Sequence, residues 1–265
     1  MSVPIALAIA GSDSSGGAGI AADLKTFSAL GVYGAAVVTA VTAQNTQGVF
    51  AIHAVPADVI ARQIDAVLSD LAVGAVKIGM LANAAAIDAV SAALERHRPH
   101  NVVLDPVMVA SSGAQLLQAD ALGRLRGLLA RVRVVTPNLL EAATLLDVSL
   151  ARTEDEMTAQ ARKLLEFGPG AVLIKGGHGG GSESVDLLVE HASCLRLAAP
   201  RIVTKNGHGS GCTFASAIAA GLAKGLSLEQ AASEAKAYVS AAIAAADRLA
   251  VGTGRGPLHH FHAWW

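Results

Sequence analysis

Short apolar runs alternate with helical patterns along almost the whole chain, and this alternation restricts the fold more than any other feature. The runs are apolar at consecutive positions, which is typical of strands covered on both faces. The predicted strands are residues 4–10, 35–42, 75–79, 101–107, 132–136, 171–175, 184–190 and 194–202. The predicted helices are residues 18–30, 57–71, 83–97, 118–130, 137–146, 153–167, 210–224 and 228–248. The sequence therefore predicts an α/β fold with helices on both faces of a mostly parallel central sheet.

The last two predicted strands, 184–190 and 194–202, follow one another without a helix between them, which predicts one antiparallel hairpin late in the chain. A chain of 265 residues can bury one large core. It contains neither a linker rich in proline and serine nor a repeat of about 20–50 residues. We therefore expect residues 1–265 to form a single domain.

The mean hydropathy of +0.48 raises the question whether the chain crosses a membrane. Its charge-free stretch 26–57 contains Gly34, Gln44 and Gly48, so it offers no run of about 18 apolar residues. The N-terminal residues lack the basic segment of a signal peptide. We therefore expect a cytoplasmic protein that has no membrane partner.

Charge and cysteine content exclude two further classes. Twenty basic residues stand against twenty-one acidic ones, without a run of like charge, which argues against a nucleic-acid partner. Two cysteines, Cys194 and Cys212, are too few for a disulfide framework and lack the CxxC spacing of a zinc site. Each cysteine therefore either packs or reacts.

Polar and glycine residues cluster directly after the predicted strands. Ligands of open α/β sheets bind beyond the carboxyl ends of the strands, so these residues predict an active site at that edge. They are Gly11-Ser12-Asp13, Gln44-Asn45, Gly79-Met80, Asp105-Pro106, Pro137-Asn138, Gly176-Gly177-His178 and the turn 206–212.

Two glycine-rich loops could hold a phosphate group, and the first is GSDSSGGAG at 11–19. Neither loop contains the GxxxxGK[ST] motif of P-loop proteins. Residues 17–22 match GxGxxA, but no acidic residue for a ribose lies between Asp23 and Asp58, which argues against dinucleotide binding. The alternative for this loop is that its glycines serve backbone geometry alone.

The second loop, GHGSG at 207–211, leads into a helix that begins near Ser210. The glycines at 207, 209 and 211 allow the backbone to approach an anion, which the helix N-terminus stabilises. Cys212 lies in the first turn, where the helix dipole is expected to lower the pKa of the thiol. A partly ionised thiolate there could accept the proton of an attacking hydroxyl group. The alternative is a small residue packed against the sheet.

Eight blocks of sequence between about Ile5 and Leu258 extend these observations. They are AIAGSDSSGGAGIAADLKTFSALGVYG, VTAVTAQNTQGV, VKIGML, VVLDPVMVASSG, VVTPNLLEA, VLIKGGH, NGHGSGCTFASAIAAGLAKG and AKAYVSAAI. With these blocks the chain resembles the bacterial hydroxymethylpyrimidine/phosphomethylpyrimidine kinases of thiamin biosynthesis, in the ribokinase-like superfamily. The resemblance implies a ribokinase-like three-layer sandwich that uses ATP and Mg²⁺ to phosphorylate an aminopyrimidine and then its monophosphate. It also implies a homodimer, and it leaves the need for a monovalent cation open.

The resemblance assigns a role to several residues. Cys212 stands where related sugar kinases have a catalytic aspartate, so it is the candidate base, with Gly209 and Gly211 in the same catalytic turn. The candidate substrate contacts are Gln44 as reader of the pyrimidine edge, Met80 and Val107 as apolar walls, and Gly11 and Asp23. The candidate metal residues are Asp105, Asn138 and Glu141, and the candidate ATP contacts are Lys175, Lys236 and Ser210.

These residue types also have structural interpretations. A carboxamide such as Gln44 can stabilise a loop, and Met80 or Val107 can belong to the core. Further alternatives are an acid in the first turn of a helix for Asp23, a surface acid for Asp105, a helix cap for Asn138 with Glu141, and a solvated lysine for Lys236.

The resemblance has two departures and one unexplained segment. Gly207 and Ser210 stand where the related kinases usually have threonine, which bears on nucleotide affinity more than on reaction type. The final residues HHFHAWW, 259–265, have a metal-like composition, but we expect a disordered or surface-packed tail.

Two other functions remain open at this point. The close alternative is a pyridoxal kinase, because some members of this cysteine-bearing branch phosphorylate the hydroxymethyl group of pyridoxine. The alternative from another class is a non-catalytic sensor of a vitamin precursor. Against the sensor, the candidate residues Asp105, Asn138, Glu141 and Cys212 are all present.

Overall fold

The computed structural model describes residues 3–110, 113–177 and 181–265. Its strands are β1 (Ile5–Ala10), β2 (Tyr33–Val38), β3 (Ala40–Asn45), β4 (Gly48–Ala54), β5 (Ala75–Ile78), β6 (Val102–Leu104), β7 (Val134–Val135), β8 (Ala171–Lys175), β9 (Glu183–Val189) and β10 (Cys194–Pro200). Its α-helices are α1 (Gly19–Ala29), α2 (Ala57–Leu68), α3 (Ala84–His97), α4 (Leu122–Leu128), α5 (Leu139–Leu146), α6 (Glu154–Leu165), α7 (Ser210–Ala223) and α8 (Leu228–Ala244). Short 3₁₀ turns lie at Ala119–Ala121, Leu129–Arg131 and Ala246–Arg248.

Eight of the strands form the central sheet, in the order β10-β9-β8-β7-β6-β5-β1-β2. From β2 to β8 neighbouring strands run parallel, whereas β9 runs antiparallel to β8 and β10 antiparallel to β9. The mostly parallel sheet and the late hairpin are therefore confirmed. Because parallel strands end at one edge, the residues that follow β1, β5, β6, β7 and β8 meet there.

The two faces of the sheet carry side chains of different size. On β1, Leu7 and Ile9 pack into the core beneath α2 to α6, whereas Ala6 and Ala8 face α7 and α8. The small side chains on the second face allow α7, itself rich in alanine, to pack closely against β1, β5 and β6. This close packing brings the N-terminus of α7 to the edge at which those strands end.

No helix in the described part of the chain is long and apolar enough to cross a membrane.

The prediction of one strand over 35–42 was wrong. The chain leaves the central sheet at the buried Thr39, whose hydroxyl donates a hydrogen bond to the carbonyl of Met80 at 2.6 Å. It continues as β3, which pairs antiparallel with β4 in a separate two-stranded sheet. The sequence did not reveal β4 because its residues are mostly exposed and show no alternation of buried and exposed positions.

Candidate active site

Charged side chains from three strand ends meet at the N-terminus of α7. The ammonium group of Lys175, at the end of β8, lies 2.6 Å from Asp105 Oδ1 and 3.9 Å from Glu141 Oε2. A Cβ placed on Gly211 would lie 3.1 Å from the Lys175 Nζ and 3.8 Å from Asp105 Oδ2. The structure therefore brings together Asp105, Glu141, Lys175 and Gly211, which the sequence had placed in three different roles.

Burial determines the electrostatics of this group. It raises the pKa of Glu141 to about 7, and the neighbouring Asp105 adds to this effect while Lys175 opposes it. For Lys175, burial lowers the pKa, but the charges of Asp105 and Glu141 outweigh burial and raise it. A buried pair of carboxylates around one cation has the oxygen chemistry that suits a divalent ion. Among the described residues, however, no group of three or more His, Cys, Asp or Glu side chains is arranged to hold a metal by itself.

Asn138 and Glu141 form a capping box at the start of α5. The side chain of Asn138 accepts a hydrogen bond from the backbone N–H of Glu141 at 2.9 Å, and Glu141 Oε2 accepts one from the backbone N–H of Asn138 at 2.8 Å. The structural interpretation of this pair is therefore confirmed. The cap also holds the Glu141 carboxylate toward Lys175, so a metal-binding role for it stays a prediction.

The two glycine-rich loops touch each other, and the contact requires glycine. Gly209 is the N-cap of α7 with a φ of 83°, a conformation that L-residues with a side chain rarely adopt. A Cβ on Gly209 would collide with the carbonyl oxygen of Gly17. The backbone of the second loop therefore approaches the first loop closely, and both begin helices at the same edge of the sheet.

Replacing Gly209 with alanine is expected to lower kcat/KM on the order of tenfold, because the loop must move to relieve the collision with Gly17. Gly207→Ala is the matched control, since no described atom beyond its chain neighbours lies within 4 Å of the added Cβ. Steady-state kinetics of both purified variants would check this. Equal activity of the two variants would contradict the proposed tight contact.

Cys212 lies half-buried in the first turn of α7. The expected lowering of its pKa was wrong. Burial raises the pKa of the Cys212 thiol to about 11, and the carboxylates of Asp105 and Asp23 add to the rise while Lys77 opposes it. The helix dipole is therefore outweighed by loss of water and by two nearby negative charges, and in this state the thiol holds its proton at neutral pH.

Alkylation of Cys212 by iodoacetamide is expected to accelerate about tenfold per pH unit from pH 7 to pH 10, because the thiolate is the reactive form and the pKa of the thiol is about 11. The exposed Cys194 would first be replaced by serine. Mass spectrometry of the peptide carrying residue 212 would give the rate. A rate that levels off below pH 8 would contradict the raised pKa.

Asp23 lies in the interior beneath the site. Asp23 and Lys77 are each 0% exposed, with Lys77 Nζ 2.8 and 2.9 Å from the two carboxylate oxygens. The hydroxyl of Ser216 donates a further hydrogen bond to Asp23 Oδ1 at 2.7 Å. Asp23 is therefore not in the first turn of α1, and it is fully buried in this structure; its contact with a substrate stays a prediction. Lys77 was missed, although a lysine within the apolar run AVKIG was a visible signal.

An apolar wall lies next to the first glycine loop. Met80 belongs to a small buried cluster with Ala40 and Ala82, against which Val107 packs. A Cβ placed on Gly11 would lie 2.9 Å from the Met80 Sδ, so glycine leaves room for that side chain. The structure therefore brings the predicted wall residues Met80 and Val107 together with Gly11, a predicted substrate contact.

Gln44, near the end of β3, is joined to the same loop. Its backbone N–H donates to Ser14 Oγ at 2.8 Å, and Ser14 Oγ donates to its carbonyl at 2.7 Å. Nε2 of its carboxamide lies 3.3 Å from His208 Nε2. The first glycine loop thus bonds to the backbone of Gln44, and the second glycine loop contacts its side chain.

Sequence reasoning missed the link between the two glycine loops. His208 Nε2 lies 2.8 Å from Asp13 Oδ2, which also accepts hydrogen bonds from the backbone N–H groups of Gly17 and Ala18. Burial raises the pKa of Asp13, but the hydrogen bonds from His208 and Ser15 outweigh burial and hold it below its usual value. The available signal in the sequence was a polar residue between the glycines of each loop, Asp13 in the first and His208 in the second.

Two predicted ATP contacts, Lys236 and Ser210, lie on the helices α8 and α7. Lys236 is buried, and its Nζ lies 2.7 Å from Asp186 Oδ2 and 2.8 Å from the carbonyl oxygen of Ser184. It therefore ties α8 to β9, and the interpretation as a solvated lysine was wrong. Ser210 is the half-exposed first residue of α7. His178, one of the residues that follow the predicted strand 171–175, lies outside the described residues.

The segment before the C-terminal tail bonds to the loops around the site. The backbone N–H groups of Gly254 and Arg255 bond to the side chain and carbonyl oxygen of Thr46, in the turn between β3 and β4. Gly256 bonds to both the side chain of Asn206 and the backbone of His208.

The end of the chain combines buried and exposed side chains. His259 and His260 are 2% and 4% exposed, because they pack against α7 and α8, whereas Trp264 and Trp265 remain exposed. The prediction of a disordered or surface-packed tail was therefore wrong for these two histidines.

Comparison with known proteins identifies the family. Residues 13–259 match the family described as phosphomethylpyrimidine kinase. A hydroxymethylpyrimidine/phosphomethylpyrimidine kinase from Rhizobium meliloti (strain 1021) is 57% identical over 98% of each chain. Among solved structures, an ADP complex of Bacillus subtilis pyridoxal kinase is 35% identical with a TM-score of 0.91 over 99% of each chain.

A second solved structure carries the family's own description. It is a phosphomethylpyrimidine kinase from Clostridium difficile 630, which is 40% identical with a TM-score of 0.81 and is matched over 91% of this chain and 100% of its own. Family match, sequence identity and structural likeness all extend over most of the chain. The chain therefore belongs to the phosphomethylpyrimidine kinase family.

Proposed function

We propose that the protein phosphorylates the hydroxymethyl group of 4-amino-5-hydroxymethyl-2-methylpyrimidine with ATP, and then phosphorylates the monophosphate to the diphosphate, in thiamin biosynthesis. The observation that carries the proposal is the near-full-length likeness to an enzyme of that name. The convergence of Lys175, Asp105 and Gly211 at a helix N-terminus supports it, since phosphoryl transfer depends mainly on charge stabilisation and positioning.

The proposed catalytic turn supplies two kinds of group. Gly209 and Gly211 leave backbone N–H groups at the start of α7 accessible to an anion, and Lys175 adds a positive charge nearby. Cys212 is the proposed base toward the substrate hydroxyl. Because the thiol must first lose its own proton, this role requires that its pKa fall below about 11 when the site is occupied.

Asp105, Asn138 and Glu141 are the proposed residues for Mg²⁺, with Lys175, Lys236 and Ser210 on the ATP side. The oxygen donors suit Mg²⁺, which takes few protein ligands and keeps several waters. When bound, the ion would neutralise negative charge on the phosphates. Lys175 now lies between Asp105 and Glu141, so it would share these carboxylates with the ion.

Substrate recognition is proposed for the wall formed by Gly11, Met80 and Val107 and for the carboxamide of Gln44. The apolar side chains fit a flat ring, and a carboxamide can donate to a ring nitrogen while it accepts from an exocyclic amine. Asp23 is enclosed, so any effect of it on the substrate would act through its neighbours.

A second candidate function is the phosphorylation of pyridoxal. It is favoured by the likeness in structure to a bacterial pyridoxal kinase, whose fold superimposes over nearly the whole chain. The two substrates share a six-membered ring with a hydroxymethyl group, and an apolar wall does not distinguish them.

Product analysis by mass spectrometry tests both candidates. The purified protein would be incubated with MgATP and, separately, with hydroxymethylpyrimidine, its monophosphate and pyridoxal. We expect mono- and then diphosphate from the pyrimidine. Product from pyridoxal alone would favour the second candidate, and absence of any product would favour the non-catalytic sensor.

We also propose that the protein acts in the cytoplasm as a homodimer. The hairpin β3–β4 supports the homodimer, because it exposes the apolar side chains of Val41, Phe50 and Ile52. Its outer edges pair with no other strand of the described chain. Phe50→Asp is expected to shift the protein from dimer toward monomer in size-exclusion chromatography with light scattering, since Phe50 is 67% exposed. Val203→Asp, at an exposed site away from the hairpin, is the control. A monomeric wild-type protein would contradict the proposal.

A further inference from the structure

His208 contacts two polar groups that compete for one ring nitrogen. Its Nε2 lies 2.8 Å from Asp13 Oδ2 and 3.3 Å from Nε2 of the Gln44 carboxamide. Oε1 of that carboxamide lies 3.3 Å from Thr42 Oγ1. The carboxamide of Gln44 is therefore held between His208 and Thr42, and these two neighbours determine which way it is oriented.

The position of the hydrogen on His208 follows from Asp13. An ionised carboxylate can only accept hydrogen bonds, and Asp13 Oδ2 already accepts two from the backbone of the first glycine loop. The short contact with His208 therefore requires a hydrogen on Nε2. A nitrogen that carries a hydrogen cannot accept a bond from the NH₂ group of Gln44. The N–H is directed mainly at Asp13, and its positive end favours the carboxamide oxygen over the NH₂ group at the longer 3.3 Å contact.

Thr42 selects the same orientation independently. Its hydroxyl lies 2.9 Å from the carbonyl oxygen of Ser12, to which it donates its single hydrogen. Toward Gln44 the hydroxyl oxygen can then only accept, so it favours the NH₂ group. Both neighbours therefore favour the carboxamide turned by 180° from its placement in the structure, with Oε1 toward His208 and Nε2 toward Thr42. The two ends of such an amide are assigned from the hydrogen bonds of its neighbours.

We infer that His208 is a specificity-determining positioning residue, which fixes the orientation of the Gln44 carboxamide in the substrate pocket. The inference rests on the proposed pyrimidine substrate. In the fixed orientation one N–H of Gln44 and one lone pair of its oxygen stay available, on defined sides, for a ring nitrogen and an exocyclic amine. Pyridoxal lacks the amine, so its affinity depends less on this orientation. His208 itself need not touch the substrate.

A double-mutant cycle on equilibrium binding tests the inference. Affinity for hydroxymethylpyrimidine without ATP would be measured by calorimetry for wild type, His208→Leu, Gln44→Ala and the double variant. We expect His208→Leu to weaken binding about tenfold, and to weaken it by less than about twofold when Gln44 is already alanine. Affinity for pyridoxal is expected to change by less than about threefold.

A conservative variant keeps the test decisive if His208→Leu does not fold, which thermal denaturation would reveal. His208→Gln retains an N–H group toward Asp13, so we expect it to bind the pyrimidine within about threefold of wild type. Losses from His208→Leu and Gln44→Ala that simply add would overturn the inference, because His208 would then act through the loops alone. If His208→Leu is unfolded, wild-type affinity in His208→Gln would support the inference, and a tenfold loss there would overturn it. A wild-type protein that does not bind the pyrimidine would overturn the proposed function, and this inference with it.

Discussion

Replacing Cys212 with alanine is expected to slow phosphorylation of hydroxymethylpyrimidine by about 10²–10³-fold and phosphorylation of its monophosphate by less than about tenfold. The difference follows from the two acceptors. The first step must remove a proton from an alcohol, which is the proposed task of the thiolate. In the second step the attacking phosphate oxygen is already anionic and needs no base.

Single-turnover rates measured separately with each acceptor would check this expectation. Cys212→Ser is the matched control, because it keeps the size of the side chain but replaces the thiol with a weaker acid. It is expected to resemble the alanine variant in the first step. Equal losses in both steps would indicate that Cys212 shapes the turn between Gly209 and the helix and has no role as a base.

The pH dependence of the first phosphorylation provides a second test of Cys212 as the base. Because the pKa of the Cys212 thiol is raised to about 11, the thiolate fraction of the free protein grows with pH through the neutral range. The kcat/KM of the first step is therefore expected to rise with pH, since this ratio reports the ionisation of free enzyme. The alanine variant should lose that rise, and the second step should never show it.

Replacing Lys77 with methionine is expected to lower the free energy of unfolding by about 3–5 kcal/mol. The change leaves the carboxylate of Asp23 enclosed without its cation, since both side chains are fully buried. Asp23→Leu is expected to lower the free energy of unfolding by a similar amount, because it leaves the ammonium group of Lys77 buried without its carboxylate. Urea denaturation of both single variants, followed by circular dichroism, would provide the free energies.

The double variant Asp23→Leu/Lys77→Met distinguishes a paired charge from two independent contributions. With both charges removed, stability is expected to return to within about 1–2 kcal/mol of wild type, because no unpaired charge remains in the interior. Ser216 loses its carboxylate partner, which accounts for the remaining deficit. Single-variant losses that add in the double variant would show that the two charges do not stabilise each other.

Much of the fold could be predicted because local pattern and tertiary environment agree. The strands of the central sheet are buried on both faces, so their apolar runs mark them directly. The hairpin β3–β4 could not be found in this way, since its residues are exposed and carry no burial pattern. The break at Thr39 depends on a hydrogen bond to Met80, a residue that is distant in the sequence.

Within the candidate site, position was easier to predict than chemical state. Residues after strand ends were expected at one edge, and Asp105, Lys175 and Gly211 do meet there. The pKa of Cys212 depends on burial and on carboxylates from other elements, which a local motif does not contain. The pairs Asp23–Lys77 and Asp13–His208 are likewise formed by tertiary packing alone.

The bonds made by the C-terminal segment have a consequence for protein synthesis. The hydrogen bond to Thr46 needs Gly254, which is synthesised 208 residues later. The hydrogen bond to Asn206 needs Gly256, which is synthesised 50 residues later. A nascent chain that has emerged as far as α8 already contains every proposed catalytic side chain, yet it lacks these partners. Contacts so distant in sequence form late in folding. Chains that end before Gly254 are therefore expected to lack these contacts and to remain inactive.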